Sequence, residues 1–288
     1  MRGWIGAGVL LAGAVLSAGS ASAAQLIIRD AVVEVRVVPQ DRDNIEVHIE
    51  RPNAKLPLTV EDGLGGDVVV DGGQRYGVWK FLFGGRTADC INGNGEHLVH
   101  VWGVGDVRED ELPRIVVYTP RDARVSTSGA TFGTIERSSA VTLSIAGCDQ
   151  WTIANVEGPL AVHESGVGIV HAGTAGSLDL RSAGMADMTT HEIANGAEVH
   201  FSGGGKIHAL SVSGPIKVHI AGHADVDIDG GHASDIDVHI AGSGRLNDLG
   251  SADTLEVSIA GHGDVDVAHV SGAVTKSIAG SGTINIGR

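Results

Sequence analysis

Apolar and polar residues alternate at period two in short bursts through most of this chain, and from Val141 to Arg288 the bursts repeat one phrase. It reads L-S-I-A-G at Leu143, V-H-I-A-G at Val218 and Val238, V-S-I-A-G at Val257 and K-S-I-A-G at Lys276. The aligned glycine falls at Gly129, Gly147, Gly166, Gly184, Gly203, Gly222, Gly242, Gly261 and Gly280, with gaps of 18 to 20 residues. In the copy ending at Gly261, Leu255, Val257 and Ile259 alternate with Glu256, Ser258 and Ala260. After the turn at His262-Gly263, Val265 and Val267 alternate with Asp264 and Asp266. Such alternation predicts strands with one side on a core and the other in water. Each copy has room for two or three short strands and no helix.

Equivalent copies that bury their apolar side only against their neighbours form stacked arrays. Nineteen residues at ~3.3 Å each give a contour of ~60 Å, enough for one small coil, and nine coils at ~4.8 Å make a rod of ~40 Å. The expected fold is therefore all-β: a parallel β-helix, or β-solenoid, with coils of about 19 residues, right-handed as parallel crossovers nearly always are. A propeller would need ~40 residues per blade.

The first half is less regular. Ala31, Val33, Val35 and Val37, then Ile45, Val47 and Ile49, predict two strands with a turn at Pro39 to Asn44. Leu56 to Val60, Val68 to Val70, Leu98 to Val107 and Ile115 to Tyr118 read as further strands, with Asp89 to Glu96 a loop around Cys90. The boundaries that follow are a secretory signal at 1–23, an N-terminal β region at 24–122 and solenoid repeats at 123–288. The signal rests on Arg2, the apolar run Trp4 to Leu16 and the A-x-A site at Ala21 to Ala23. No later stretch is apolar enough to span a bilayer as a helix.

Composition adds compartment and partner class. The chain carries 20 basic and 35 acidic residues, a formal charge of −15. That balance argues against nucleic acid and anionic lipid as partners. Forty-three glycines and 3% aromatics suit tight turns between strands of small side chains. In an oxidising compartment the two cysteines, Cys90 and Cys148, are expected to form one disulfide.

Candidate chemistry is thin. Tyr76, Trp79, Phe81 and Phe83 are four of the chain's ten aromatic residues and occupy one short segment. They read either as a core strand, which clustered aromatics favour, or as an exposed contact ridge for a partner. His200, His219 and His239 share one outward column, with His163 two coils earlier. Stacked imidazoles could hold a transition metal, but a solvated polar ladder is the simpler account, because metal sites usually draw convergent ligands. Asp225 with Asp227 and Asp264 with Asp266 flank a coil that presents Arg245 and Asn247, a self-neutralising ladder rather than a calcium surface. Two charges stand in inward columns. Lys276 replaces Val257 and Val238 at the last coil, where a charge discourages further strand addition. Glu164 replaces Ile145 and must be hydrogen-bonded, protonated or turned outward. Glu164 with His163, His171 and Asp187 is the best constellation for polysaccharide chemistry by paired carboxylates. Against it, the short corners build no cleft walls, and sugar-stacking aromatics are nearly absent from the repeats, with Trp151 and Phe201 in core columns.

The phrases Ala260-Gly261-His262-Gly263-Asp264-Val265-Asp266-Val267 and Ala279-Gly280-Ser281-Gly282-Thr283-Ile284-Asn285-Ile286 resemble the head GIN domain family, exported bacterial proteins classed as auto-transporter adhesin heads. Leu112 to Pro120 is similar to that family's strand before its repeats. The resemblance implies a parallel β-helical fold in the envelope and no established chemistry. The chain departs from the family name in reaching Arg288 without a long alternating membrane domain. The expectation is an exported, non-enzymatic, adhesin-like module, periplasmic or at the cell surface. It would need no cofactor, bind an unidentified protein or polysaccharide ligand, and have sheet edges through which copies could associate.

Overall fold

The computed structural model describes residues 24–73, 88–93, 96–101 and 104–287. Twenty-three strands follow in order: β1 Leu26–Gln40, β2 Glu46–Arg51, β3 Thr59–Asp62, β4 Val68–Asp71, β5 Ala88–Gly93, β6 Glu96–Val101, β7 Gly105–Arg108, β8 Arg114–Pro120, β9 Asp122–Ile135, β10 Ala140–Ile145, β11 Cys148–Ile153 and β12 Pro159–Glu164. Next come β13 Val167–Ala172, β14 Ser177–Ser182, β15 Met185–Ile193, β16 Ala197–Phe201, β17 Gly204–Ile220, β18 His223–Ile228, β19 Gly231–Ile240, β20 Arg245–Gly261, β21 Asp264–Val270, β22 Val274–Gly280 and β23 Thr283–Ile286. The described part is the β-solenoid that the glycine spacing predicts, winding through about nine turns.

Each coil has two broad faces and a narrow third side. The first face stacks β10, β12, β14 and β16, then the C-terminal parts of β17, β19 and β20, and finally β22, all parallel. The second face stacks β11, β13 and the start of β15, then the start of β17, β18, the start of β20, β21 and β23. The narrow side is held by isolated bridges such as Ser138 to Val156 and Ala175 to Ile193. One continuous core fills the interior. Ile220 pairs with Ile240 and Ile240 with Ile259 in consecutive coils, each 1% exposed. Fully burying an isoleucine is worth roughly 1.5–3 kcal/mol, so these internal files supply the cohesion that no single coil could.

The glycine column marks the corner between the two faces, where successive backbones touch. A Cβ built on Gly166 would lie 2.1 Å from the carbonyl oxygen of Gly147, and one on Gly203 would lie 2.1 Å from that of Gly184. Any side chain there would push the coils apart. The repeat is written in glycine because the stack leaves no room for a methyl group.

The coil register reaches further back than the glycine phrase. β1 pairs with β9 in parallel, with Leu26 opposite Val125, Ala31 opposite Gly129 and Val37 opposite Ile135. On its other edge β1 pairs with β4 and β8. The first strand of the described chain is thus an internal coil, inserted between later strands. β3 and β2 run antiparallel along the free edges of β4 and β8 and finish that end of the stack.

Asp89 to Glu96, expected as a loop, is largely strand. β5 and β6 pair antiparallel with Cys90 opposite Val99, and β7 adds to β6. This three-stranded sheet packs on the outside of the second face. Val99, Val101 and Val107 close with Leu56 and Leu112 over Val32 and Ala130, and the cluster takes in Phe132 and Cys148 at its margin. The outward positions of the first coils are apolar because a second layer covers them.

Candidate functional site

The expected polysaccharide constellation does not assemble. Strand alternation turns Glu164 inward and its neighbour His163 outward on the first face. His171 and Asp187 stand exposed on the second face, where His171 bonds the Thr189 hydroxyl through Nδ1 at 2.8 Å. Two open grooves keep these groups apart. One, of about 570 Å³, runs along the corner past Ser144, His163, Arg181 and His200. The other, of about 460 Å³, crosses the second face past His171, Asp187, Lys206, His208 and Asp229.

Glu164 is the centre of a feature the sequence only half disclosed. It is 3% exposed, lies in the file of Ile145, and accepts a hydrogen bond from the Ser182 hydroxyl at 2.9 Å on Oε2. Its Oε1 has no partner. Burial pushes its carboxyl above the ordinary range, opposed by the Ser182 hydroxyl and the Gly166 and Gly184 amides. Just across the corner lies Asp149, also buried. Its Oδ1 accepts from the Thr127 hydroxyl at 3.2 Å, the Thr131 amide at 3.1 Å and the Thr131 hydroxyl, while Oδ2 has no partner. Burial pushes Asp149 up to about 8, and the neighbouring Glu164 charge pushes the same way. Asp149 is therefore largely protonated at neutral pH. Its inward placement was readable from parity, because Asp149, Trp151 and Ile153 occupy every second position of β11 and share its buried side. Beside it, Trp151 is fully buried and fits only because residue 133 is glycine: a Cβ there would lie 2.2 Å from the indole ring.

The histidine column is a stack. His200 and His219 lie 4.7 Å apart at 3°, and His219 and His239 lie 5.0 Å apart at 10°. Parallel rings do not converge on a point between them. His200 bonds Glu198 at 2.7 Å and His239 lies 3.0 Å from Asp237. Burial, then the neighbouring His200 and His239, hold His219 below the usual imidazole range. His163 is separated from the stack by Arg181, which stands between it and His200 in the register. Among the described residues no three His, Cys, Asp or Glu side chains are grouped to hold a metal ion.

The other outward ladders are self-satisfied. Lys206 pairs with Asp227 at 2.9 Å, Thr283 donates to Asp264 at 2.6 Å, and Asn285 donates to Asp266 at 2.7 Å. Arg245 stands between Asp225 and Asp264. The aromatic segment with Tyr76, Trp79, Phe81 and Phe83 lies outside the described residues, as do residues 1–23, where a secretory signal is expected. Cys148 opens β11, and Cys90 sits on β5, a strand that lies against β9 and β11. Among the described residues no helix is long and apolar enough to cross a membrane.

Comparison with known proteins adds one relationship. No curated protein and no solved structure matches the chain. Leu112 to Pro120, part of the resemblance read from the sequence, lies outside the region that a family model matches. Residues 197–287, the C-terminal coils that include both A-G-x-G phrases, match the family described as "Putative auto-transporter adhesin, head GIN domain".

Proposed function

We propose that this chain is an exported, non-enzymatic interaction module of the cell envelope, adhesin-like in binding a surface or periplasmic ligand over its broad faces. The observation that carries this reading is the outer surface of the solenoid. Its polar side chains stand in flat, mutually bonded ladders such as Lys206 with Asp227, while the carboxyls that burial pushes up, Asp149, Glu164 and Asp248, face the interior. A surface of that kind offers many weak contacts, which multiply into avidity. The family match over residues 197–287 supports the same reading, and the net charge of −15 directs it away from nucleic acid.

The test is capture of a ligand from the native envelope by the immobilised mature chain, with Trp79→Ser as the probe of the aromatic segment. A partner retained by the wild type and lost by the variant places contact there. Release of reducing or unsaturated ends from uronate polysaccharides, abolished by Glu164→Gln, would overturn the non-enzymatic reading. Zinc binding by calorimetry, lost in His219→Ala, would add a metal to the histidine stack. We further propose that Cys90 and Cys148 form a disulfide tying the three-stranded sheet to the solenoid. Its support is the approach of β5 to β11, and labelling of either thiol without reductant would sink it.

A further inference from the structure

The groove along the corner is an exception on an acidic surface. Two grooves on the second face are lined by acids, Asp187, Asp227 and Asp229 in one and Asp227, Asp264 and Asp266 in the other. The corner groove is larger than either, at about 570 Å³, and its lining carries a single acid, Glu164, which is 3% exposed and turned into the core. Its wall is a register of outward side chains from four consecutive coils, Ser144, His163, Arg181 and His200. At ~4.8 Å per coil these span ~14 Å. Its floor is the corner itself, where Ser165 and Ser202 stand exposed with an alanine between them.

Arg181 is the full charge in that wall. Its Nε donates to Asp179 at 2.9 Å, and its side chain is 57% exposed. His200 is held in the same way, by Glu198 at 2.7 Å on Nε2. Both acids stand two residues earlier on their strands and outside the lining, so they anchor the cation and the imidazole from the side away from the corner. A single bond through Nε fixes the guanidinium and leaves its Nη pair without a partner among the described residues. That edge grips a carboxylate through two parallel bonds. A matching ligand carries a carboxylate for Arg181, hydroxyls for the serines and a low body that lies on a floor of small side chains. A run of uronate sugars has all three. An acidic peptide has the carboxylates, but few hydroxyls, and apolar side chains for which the floor has no pockets. The formal charge of −15 acts over distance, and at physiological ionic strength charges beyond ~8 Å are screened, so the lining decides.

We propose that the corner groove binds a short run of an acidic polysaccharide, with a uronate carboxylate on Arg181 between His163 and His200, and sugar hydroxyls on Ser144, Ser165 and Ser202. This proposal rests on the interaction-module reading and gives it a ligand class and a location.

The experiment uses the folded mature chain and a fluorescently labelled trimer of galacturonate, followed by anisotropy. The expected result is saturable binding, at least about tenfold tighter than for the same trimer with its carboxyls reduced to alcohols. Arg181→Gln should erase that preference, and Ser165→Trp, which fills the floor from an exposed position, should abolish binding, both with the β-type circular dichroism unchanged. Lys206→Gln on the second face should leave binding as it is. Equal binding of the two trimers, no binding of either, or a loss in Lys206→Gln as large as in Arg181→Gln overturns the proposal. So does a glutamate tripeptide that binds as tightly as the galacturonate, which would make the groove a site for any carboxylate. An envelope ligand captured equally by wild type and Arg181→Gln also overturns this site, while leaving the interaction-module reading intact.

Discussion

The same backbone encloses two different interiors. In the late coils the corner file runs Ile220, Ile240 and Ile259, dry and aliphatic. In the early coils the file runs Thr127, Ile145, Glu164 and Ser182, with Asp149 and Thr131 beside it across the corner. The glycine column passes through both without a break. Coil geometry is therefore set by the corner, and what fills the interior is a separate choice that leaves the winding unaltered. The late filling favours stability, and its buried Asp248 accepts a hydrogen bond from the Gly250 amide at 2.9 Å. The early filling leaves carboxyl oxygens of Asp149 and Glu164 unpartnered and buried, a cost of about 1–3 kcal/mol for each such group.

The largest expected effect probes the dry interior. Ile240→Ala should cost about 2–5 kcal/mol by opening a cavity between neighbours that cannot collapse, read as a drop in the urea midpoint at unchanged slope. Next comes the feature both regions share. Gly166→Ala and Gly242→Ala should each cost about 1–3 kcal/mol, because each Cβ would meet the preceding glycine's carbonyl oxygen at 2.1 and 2.3 Å. If only one of the two is destabilising, the corner is not common ground and the comparison breaks. Converting the early filling to the late one, with Glu164→Ile and Ser182→Ala together, removes a buried polar pair and should raise stability by about 1–3 kcal/mol.

Acidity should act in opposite senses through the raised carboxyl of Asp149 and the lowered imidazole of His219. Asp149 rises from 3.8 to about 8 on folding, so the native state holds its proton more tightly than the unfolded chain. Its contribution is complete below about pH 4 and is lost as pH rises toward 8. The thermal midpoint should fall between pH 5 and pH 9, and Asp149→Asn should flatten that fall. His219 is lowered from 6.5, so its contribution is present above pH 6.5 and is lost as pH falls through its depressed value. Here the effect is the smallest, within about 0.5 kcal/mol for a half-buried polar position on the surface. His219→Ser should soften only the acid limb of the profile.

The array was legible because its glycines are obligatory and recur every 18 to 20 residues from Gly129 to Gly280. Lys276 in the last inward column and Glu164 in an earlier one were visible for the same reason: each broke a pattern that its neighbours had established. Asp149 escaped notice because it follows Cys148 just after the corner, where a polar residue looks like turn chemistry until parity is counted back from Ile153. β1 escaped because its corner residue is Ala31 rather than glycine, and because the chain separates it from β9 by most of a hundred residues. A distant insertion erases a period even when the coils remain stacked. The second layer over Val32, Ala130 and Phe132 was hidden differently, since nothing in a single strand says that its outer side will also be covered.

The placement of β1 has a consequence for how the molecule comes into being. Leu26 finds its in-register neighbours at Val68 on one edge and Val125 on the other, so a chain delivered from its N-terminus first has no neighbour for its opening strand until much more has followed. Contacts this distant in sequence form slowly. A polypeptide crossing a membrane as a thread would arrive with its stack unstarted, and both edges of β1 could be filled only once the segment through Ile135 had come through.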